Sequence, residues 1–233
     1  MGTAKRYRAA VSELAAVCAQ AGRDPSAVRL VAVSKTVGVD EVVCAMEAGA
    51  RDFGENRPDQ LVEKSSALPQ CTWHFIGNIQ SRRLPDIVGR AALIHSLHDE
   101  GHARKIDALA AARGIVQDVL IEVNVSGEES KGGIAPAAAA GFLDVCSALP
   151  HVRVRGLMTM APQGDLARAR SVFDDLKTLH EKLRAQMSGE NATCFDELSM
   201  GMSEDWREAV CAGATIVRIG RAVFSDAFER GRP

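Results

Sequence analysis

Short apolar runs alternate with helix-like segments along almost the whole chain, and this alternation limits the fold more than any other feature. The runs have strand length and are rich in β-branched residues, whereas the segments between them carry apolar residues at helical spacing. Strands joined by crossover helices pair in parallel, and eight such units in about 200 residues are enough to close a barrel. The eight runs cover residues 29–34, 50–54, 72–77, 92–97, 116–125, 152–160, 194–200 and 215–219.

The sequence therefore predicts an α/β fold, a single (β/α)8 TIM-type barrel with residues 1–233 as one domain. Residues 5–22 have helical spacing and stop at Gly22, so we expect an extra helix before the first strand. An open doubly wound sheet is the alternative. That fold usually has fewer strands and a G-x-G-x-x-G signature after the first one, and this signature does not follow the first run.

Charge, hydropathy and cysteine spacing narrow the class of partner. Lys and Arg number 28 against 30 Asp and Glu, without a block of like charge, so we expect neither a nucleic-acid surface nor a polybasic membrane anchor. No apolar stretch approaches the ~18 residues of a membrane span, and the first residues lack the apolar core of a secretory signal. The six cysteines are widely spaced, without C-x-x-C. These features predict a cytoplasmic protein with reduced cysteines and a small ligand.

Polar or glycine-rich residues follow the C-terminal end of each predicted strand. In a parallel barrel these ends converge on one face, where active and binding sites lie. We therefore expect one site, built from Lys35 and the stretches GEN 54–56, GNIQS 77–81, HSLH 95–98, NVSGEESKGG 124–133, MTMAP 158–162, SMGMS 199–203 and RIGR 218–221.

The last two units carry the features of a phosphate site. In such barrels the loops after strands seven and eight, together with a helix N-terminus, typically bind phosphate. Gly201 and Ser203 follow the seventh run, and we expect Ser203 to be the N-cap of the next helix. Gly220 begins a helix directly after the eighth run. This pairing predicts two helix N-termini aimed at one anion; a plain N-cap and a plain turn are the alternatives.

Lys35 ends the first run, across the predicted barrel mouth from the phosphate site. A lysine in this position is most often only a solvated strand end. Arg218 is expected to project into the same mouth, where a like charge and partial desolvation would favour the neutral, nucleophilic amine. A lysine that forms a Schiff base beside a phosphate cradle is what pyridoxal 5′-phosphate (PLP) requires.

Seven longer stretches, in this order, are similar to the motifs of a known family between about residues 28 and 225. They are LVAVSKT, FGENRPDQL, WHFIGNIQSRR, IHSLH, EVNVSGEESKGGI, RGLMTMAP and LSMGMSEDWREAVCAGATIVRIGRAVF. Several long motifs in order are far more specific than any one of them. On these motifs the chain resembles the pyridoxal phosphate homeostasis proteins, which share the barrel of alanine racemases without their second domain.

The resemblance implies a site and a role. Lys35 would form the internal aldimine with PLP, Asn56 would lie beside the cofactor, and Arg218 would meet the pyridine nitrogen. The phosphate would be held by Ser199, Met200, Ser203, Ile219 and Gly220. The implied role is that of a cytoplasmic PLP carrier or regulator without a catalytic residue, which gives PLP to apo-enzymes or amino acids. Without a second domain, a monomer is expected.

Arg218 itself argues against strong turnover. PLP acts as an electron sink when its ring nitrogen is protonated, a state that a carboxylate normally maintains. An arginine donates a hydrogen bond to that nitrogen and keeps it neutral, so a carbanion is poorly supported. Racemases of the resembling fold also use a tyrosine from the partner's second domain, whereas the only tyrosine here is Tyr7 in the leading helix. A small PLP-dependent amino-acid racemase or related enzyme, with Lys35 as one base and an unassigned group such as a cysteine as the other, is the alternative function. A phosphate-binding barrel enzyme without PLP is the third.

Three histidines, His95, His98 and His102, have spacings that a metal site could use. Neither a cysteine nor a glutamate is fixed beside them by a motif, so we expect capping or solvated histidines and no metal site. Trp73 and Trp206 are too few for a nucleic-acid stacking surface, and we expect both to anchor the core.

Overall fold

The computed structural model describes residues 2–128 and 131–228, so Glu129 and Ser130 of the motif EVNVSGEESKGGI lie outside the described residues. Each of the eight predicted runs overlaps a strand. The strands are β1 Arg29–Val33, β2 Asp52–Glu55, β3 Thr72–Phe75, β4 Leu93–Leu97, β5 Gln117–Glu122, β6 Val152–Met158, β7 Glu197–Ser199 and β8 Ile216–Ile219. The helices are α1 Thr3–Gln20, α2 Val39–Glu47, α3 Pro58–Ala67, α4 Leu84–Ile87, α5 Glu100–Ala112, α6 Ala139–Ser147, α7 Leu166–Gln186, α8 Gly189–Cys194, α9 Trp206–Ala212 and α10 Arg221–Phe224.

The strands close into one parallel barrel in sequence order, which confirms the predicted fold class. β1 pairs with β2 on one side and with β8 on the other. Because all strands run in the same direction, the loops that follow them share one face. The register between β1 and β8 places Ala32 beside Ile219. The segments that carry Lys35 and Gly220 therefore leave the barrel side by side.

The helix before the first strand is present, but two residues earlier than its expected position at 5–22. It begins after Gly2, which serves as its N-cap, and ends at Gln20. Gly22 has φ +65°, a left-handed conformation that glycine adopts readily. At Gly22 the chain changes direction, and the Arg23 backbone nitrogen then donates to the Cys18 carbonyl at 2.8 Å. This bond closes the helix end, so Gly22 lies beyond the helix rather than within it.

Side chains of two kinds fill the interior of the barrel. An apolar cluster consists of strand residues alone: Val31, Leu93, Leu120, Met158 and Ile216. Along β8, Arg218 shares the face of Ile216 because strand side chains alternate. Arg218 is only 4% exposed, and it lies with three other buried polar residues, His74, His95 and Ser199. Such barrels are usually filled by bulky branched side chains, so this polar group is unusual for the fold.

The helices cover the outside of the barrel. A second, larger apolar core lies between strands and helices, and Trp73 and Trp206 are both buried in it, which confirms the prediction that they anchor the core. Within the described ranges, no helix has the combination of length and apolar character that crossing a bilayer requires.

Candidate functional site

A cavity of about 200 Å³ opens at the C-terminal mouth of the barrel. Its walls come from the ends of β1, β3 and β8 and from the loops after β6 and β7. The lining residues are Val33, Lys35, Ile76, Gln163, Met202, Ser203, Glu204, Asp205, Arg218, Gly220 and Arg221. The prediction that Lys35, Arg218 and the stretch around 203 and 220 would face a common opening is confirmed.

Lys35 is exposed, which differs from the partial desolvation expected from the sequence. β1 ends at Val33, so Lys35 lies in the turn beyond the strand rather than at its last position. The turn is held by the Val37 backbone nitrogen, which donates to the Ser34 carbonyl at 3.1 Å. From this turn Lys35 lines the cavity.

Ser203 is not a helix N-cap, so that prediction is wrong. The helix begins at Trp206, and Asp205 occupies the N-cap position. The Asp205 carboxylate instead accepts a 2.6 Å bond from the Met202 backbone nitrogen, which folds residues 202–205 into a turn before the helix. The Ser203 hydroxyl accepts a weak 3.4 Å bond from the Ala222 backbone nitrogen. Ser203 thus joins the loop after β7 to the first turn after β8.

Gly220 is the N-cap of α10, as predicted. A Cβ at this position would lie 3.1 Å from the Val33 carbonyl oxygen and 3.3 Å from the Val33 Cβ, so glycine allows the chain to turn tightly over the end of β1. The first N–H groups of a helix have no intrahelical acceptor. In the first turn of α10 the Val223 nitrogen donates to the Gly220 carbonyl at 3.0 Å, and the Ala222 nitrogen makes only the weak bond to Ser203. The N-caps of α9 and α10, Asp205 and Gly220, both line the cavity, and their part in binding one anion stays a prediction.

Arg218 lines the cavity, and two hydrogen bonds to the barrel interior hold its guanidinium in place. Its Nη1 donates to Ser199 Oγ at 2.6 Å and its Nη2 donates to the Thr159 carbonyl at 3.0 Å. Burial lowers the pKa of Arg218 to about 10 from its ordinary value of 12.5, while the charges of Asp205 and Glu122 oppose the shift. The guanidinium is still a cation at neutral pH, and it can only donate hydrogen bonds.

The remaining predicted residues are not among those that line the cavity. Ser199, Met200 and Ile219 are fully buried at the ends of β7 and β8. Asn56 follows β2, and its backbone carbonyl approaches Gly77 so closely that a Cβ on Gly77 would lie 2.0 Å from the oxygen. The glycine of the GNIQS stretch therefore sets the position of Asn56, and the part of these four residues in cofactor binding stays a prediction.

A buried ion pair lies behind Lys35, and the sequence reasoning missed it. Lys64 Nζ on α3 donates to Glu55 Oε1 at 2.6 Å and to the Ser34 carbonyl at 2.8 Å. Ser34 Oγ donates to the same Glu55 oxygen at 2.6 Å. With its amide nitrogen turned towards these acceptors, Gln60 donates to Glu55 Oε2 at 3.0 Å and to the Lys35 carbonyl at 3.2 Å. This network, Ser34–Glu55–Gln60–Lys64, holds the turn that carries Lys35.

The expectation of capping or solvated histidines is wrong for His95, which is completely buried among polar side chains. The prediction assumed that a spacing without metal-ligand partners left the rings in solvent; β4 instead turns His95 into the barrel. His98 is half-buried, and its Nδ1 lies 3.2 Å from Glu122 Oε2. Among the described residues, no group of three or more histidine, cysteine or carboxylate side chains is arranged so that it could hold a metal ion.

The His98–Glu122 pair should make stability depend on pH. The hydrogen bond to Glu122 raises the pKa of His98 above its ordinary 6.5, although desolvation opposes it. A raised histidine pKa stabilises the fold fully below pH 6.5, and that contribution disappears as the pH rises through the folded-state value. We expect the wild type to lose about 1 kcal/mol of unfolding free energy across that range, a loss that His98→Gln avoids. Urea unfolding at a series of pH values measures this; parallel curves for the two proteins would contradict it.

A family profile, related sequences and a solved structure show which proteins this chain is similar to. The family profile "Alanine racemase, N-terminal domain" matches residues 9–227. A pyridoxal phosphate homeostasis protein of Aquifex aeolicus is 37% identical over 228 residues, which cover 97% of this chain and 99% of the relative. One from Deinococcus radiodurans is 40% identical over 213 residues, 89% of this chain and 93% of the relative. The solved structure of PipY from Synechococcus elongatus with PLP bound has a TM-score of 0.80 and 33% identity, covering 92% of this chain and all of that one.

The fold and the cavity thus define a barrel of the alanine racemase N-terminal class, with an amine, a guanidinium and backbone donors at one mouth. Within that class, the chain belongs to the pyridoxal phosphate homeostasis protein family. This confirms the family resemblance of the sequence motifs.

Proposed function

We propose that this protein binds PLP in the mouth of the barrel and acts in PLP homeostasis and delivery. The observation that carries the proposal is a single cavity lined by Lys35, Arg218, Ser203 and Gly220. The three chemical parts of PLP, an aldehyde, a ring nitrogen and a phosphate, each have a suitable partner there. PipY, a relative of the same fold, was solved with PLP bound.

Each group in the cavity fits one part of the cofactor. The Lys35 amine would condense with the PLP aldehyde: a C=N bond forms and the aldehyde oxygen leaves as water, giving the aldimine. The N–H groups at the start of α10 and the Ser203 hydroxyl would donate to the phosphate. Arg221 and Glu204 also line the cavity and pair with each other at 2.7 Å, so their charges offset each other at the rim.

Arg218 would donate to the pyridine nitrogen, and this is the basis for proposing little turnover. A nitrogen that accepts a hydrogen bond from arginine stays unprotonated, so the ring withdraws electrons poorly. Tyr7 does not supply a second base. It lies on α1 beside Arg51 and Asp52, at the N-terminal end of β2 and on the opposite side of the barrel from Lys35.

These features favour a carrier over an enzyme. An aldimine at an open mouth can be attacked by another amine, which would allow PLP to pass to amino acids or to the lysine of an apo-enzyme. We further propose that the protein acts in the cytoplasm as a monomer. Size-exclusion chromatography with light scattering measures the last point, and a stable dimer would contradict it.

Absorbance and chemical trapping test the proposal. The purified protein with PLP should absorb at roughly 420 nm, as a protonated aldimine does, and borohydride should remove the band. Mass spectrometry of the reduced protein should then find the pyridoxyl group on the peptide with Lys35. A modification spread over several surface lysines would reject the site. Incubation with amino acids in deuterated solvent should give no α-hydrogen exchange, whereas exchange would indicate an amino-acid racemase.

A further inference from the structure

A chain of hydrogen bonds crosses the inside of the barrel and ends on Arg218. His74 Nε2 lies 3.1 Å from Asp52 Oδ1, and His74 Nδ1 lies 2.9 Å from His95 Nε2. His95 Nδ1 then lies 2.9 Å from Ser199 Oγ, the hydroxyl that accepts the bond from Arg218. Asp52 begins β2 at the N-terminal end of the barrel, while Arg218 lies at the cavity. The chain therefore connects the two ends.

The two terminal groups set the direction of every bond between them. Arginine has donors only, and an ionised carboxylate has acceptors only. Arg218 therefore donates to Ser199, which can pass its own proton to His95 Nδ1. A proton on His95 Nε2 then meets His74 Nδ1, and a proton on His74 Nε2 meets the Asp52 carboxylate. Both rings are neutral in this arrangement, and every donor in the chain has an acceptor.

Reversing the direction of these hydrogen bonds is unfavourable at the Ser199 end of the chain and at the Asp52 end. A proton on His95 Nδ1 would make Ser199 Oγ accept from two donors at once and leave its own proton to find another acceptor. A neutral His74 would then present a lone pair to Asp52 Oδ1, only 3.1 Å away. Buried polar atoms that face a like partner are costly. Burial lowers the pKa of His95 well below 6.5, and the positive charge of Arg218 acts in the same direction, which favours the neutral ring.

We propose that the Asp52–His74–His95–Ser199 chain is a positioning device that holds the Arg218 donors towards the cavity, with Asp52 fixing its direction from the far end of the barrel. The proposal rests on the proposed function, in which Arg218 faces the pyridine nitrogen of PLP. None of His74, His95 and Asp52 lines the cavity. They act through Ser199 and Arg218 and are positioning residues, not catalytic ones.

Histidine tautomers in the unliganded protein give the first test. Long-range ¹H–¹⁵N correlation spectra distinguish a ring protonated on Nε2 from one protonated on Nδ1 or on both. At neutral pH we expect His74 and His95 both to be neutral with the proton on Nε2, and His74→Asn and His95→Asn spectra assign their signals. A proton on Nδ1 of His95 would overturn the proposal. This measurement does not depend on PLP.

A remote substitution gives the second test. Asp52→Asn replaces the acceptor at the end of the chain by an amide that can also donate, so the reversed direction becomes accessible. We expect Nδ1 protonation to appear on His95 and the Kd for PLP to rise about tenfold, equivalent to 1.4 kcal/mol. Asp118→Asn is the matched control. Asp118 is also a partly buried carboxylate near the N-terminal end of a strand, paired with Arg153 and Arg155 but not with a histidine.

The outcomes separate this inference from the proposed function. If the wild type binds PLP on Lys35 but Asp52→Asn leaves both the tautomers and the Kd as in Asp118→Asn, the positioning chain is wrong and the function stands. If the wild type takes up no PLP while the tautomers are as expected, the proposed function fails and the link from the chain to the cofactor fails with it.

Discussion

Lys35→Ala is expected to lose covalent PLP attachment completely. The aldimine needs a primary amine that reaches the cavity, and among the lining residues Lys35 alone carries one. The absorbance band at roughly 420 nm should disappear, and borohydride should no longer fix PLP to the protein. Because Lys35 is exposed in a turn, removing its side chain should change the unfolding free energy by no more than ~0.5 kcal/mol. Absorbance titration and circular dichroism measure the two effects.

A second lysine provides the control for this prediction. Lys105 is exposed on α5 and does not line the cavity, so Lys105→Ala should bind PLP as the wild type does. Phosphate and ring contacts do not depend on the amine, and we therefore expect Lys35→Ala to keep weak, reversible PLP binding that inorganic phosphate displaces. A Lys35→Ala protein that still shows the band and still traps PLP would place the aldimine on another residue and would reject the proposed site.

Much of the fold was predictable because it depends on repetition. Eight apolar runs separated by helical segments leave few ways to bury every strand, and the parallel barrel satisfies all of them. Once the barrel is accepted, the C-terminal ends of its strands must share a face, so Lys35 and Gly220 had to be near each other. Neither step needs the position of any single side chain.

The two predictions that were wrong depend on the hydrogen-bond partners of single side chains. Ser203 is a good N-cap by residue type, but the Asp205 carboxylate accepts from the Met202 backbone nitrogen and the helix begins only after Asp205. His95 was expected to be a capping or solvated histidine. In the structure its side chain points from β4 into the barrel, next to a histidine from β3 and a serine from β7. These partners are far apart in the sequence. The alternation of strand residues could have placed His74 and His95 inside the barrel, but not their bonding order.

Lys64→Met is expected to destabilise the fold by about 3–5 kcal/mol, because it removes one partner of a buried ion pair. Lys64 is 2% exposed and Glu55 is fully buried. Without the ammonium group, the Glu55 carboxylate keeps only the Ser34 and Gln60 donors, and the Ser34 carbonyl loses its 2.8 Å bond. The same turn carries Lys35, so PLP binding should weaken along with stability.

The double substitution Glu55→Leu with Lys64→Met distinguishes the cost of an unpaired buried charge from the cost of changing the shape of the side chains. Replacing both partners by apolar groups removes the unpaired charge, so stability should return to within about 2 kcal/mol of the wild type. Lys177→Met is the control: Lys177 and Glu181 form an exposed pair on α7, and its loss should cost less than ~0.5 kcal/mol. Guanidinium unfolding of the four proteins measures these differences. A Lys64→Met protein as stable as Lys177→Met would contradict the prediction that the buried ion pair stabilises the fold.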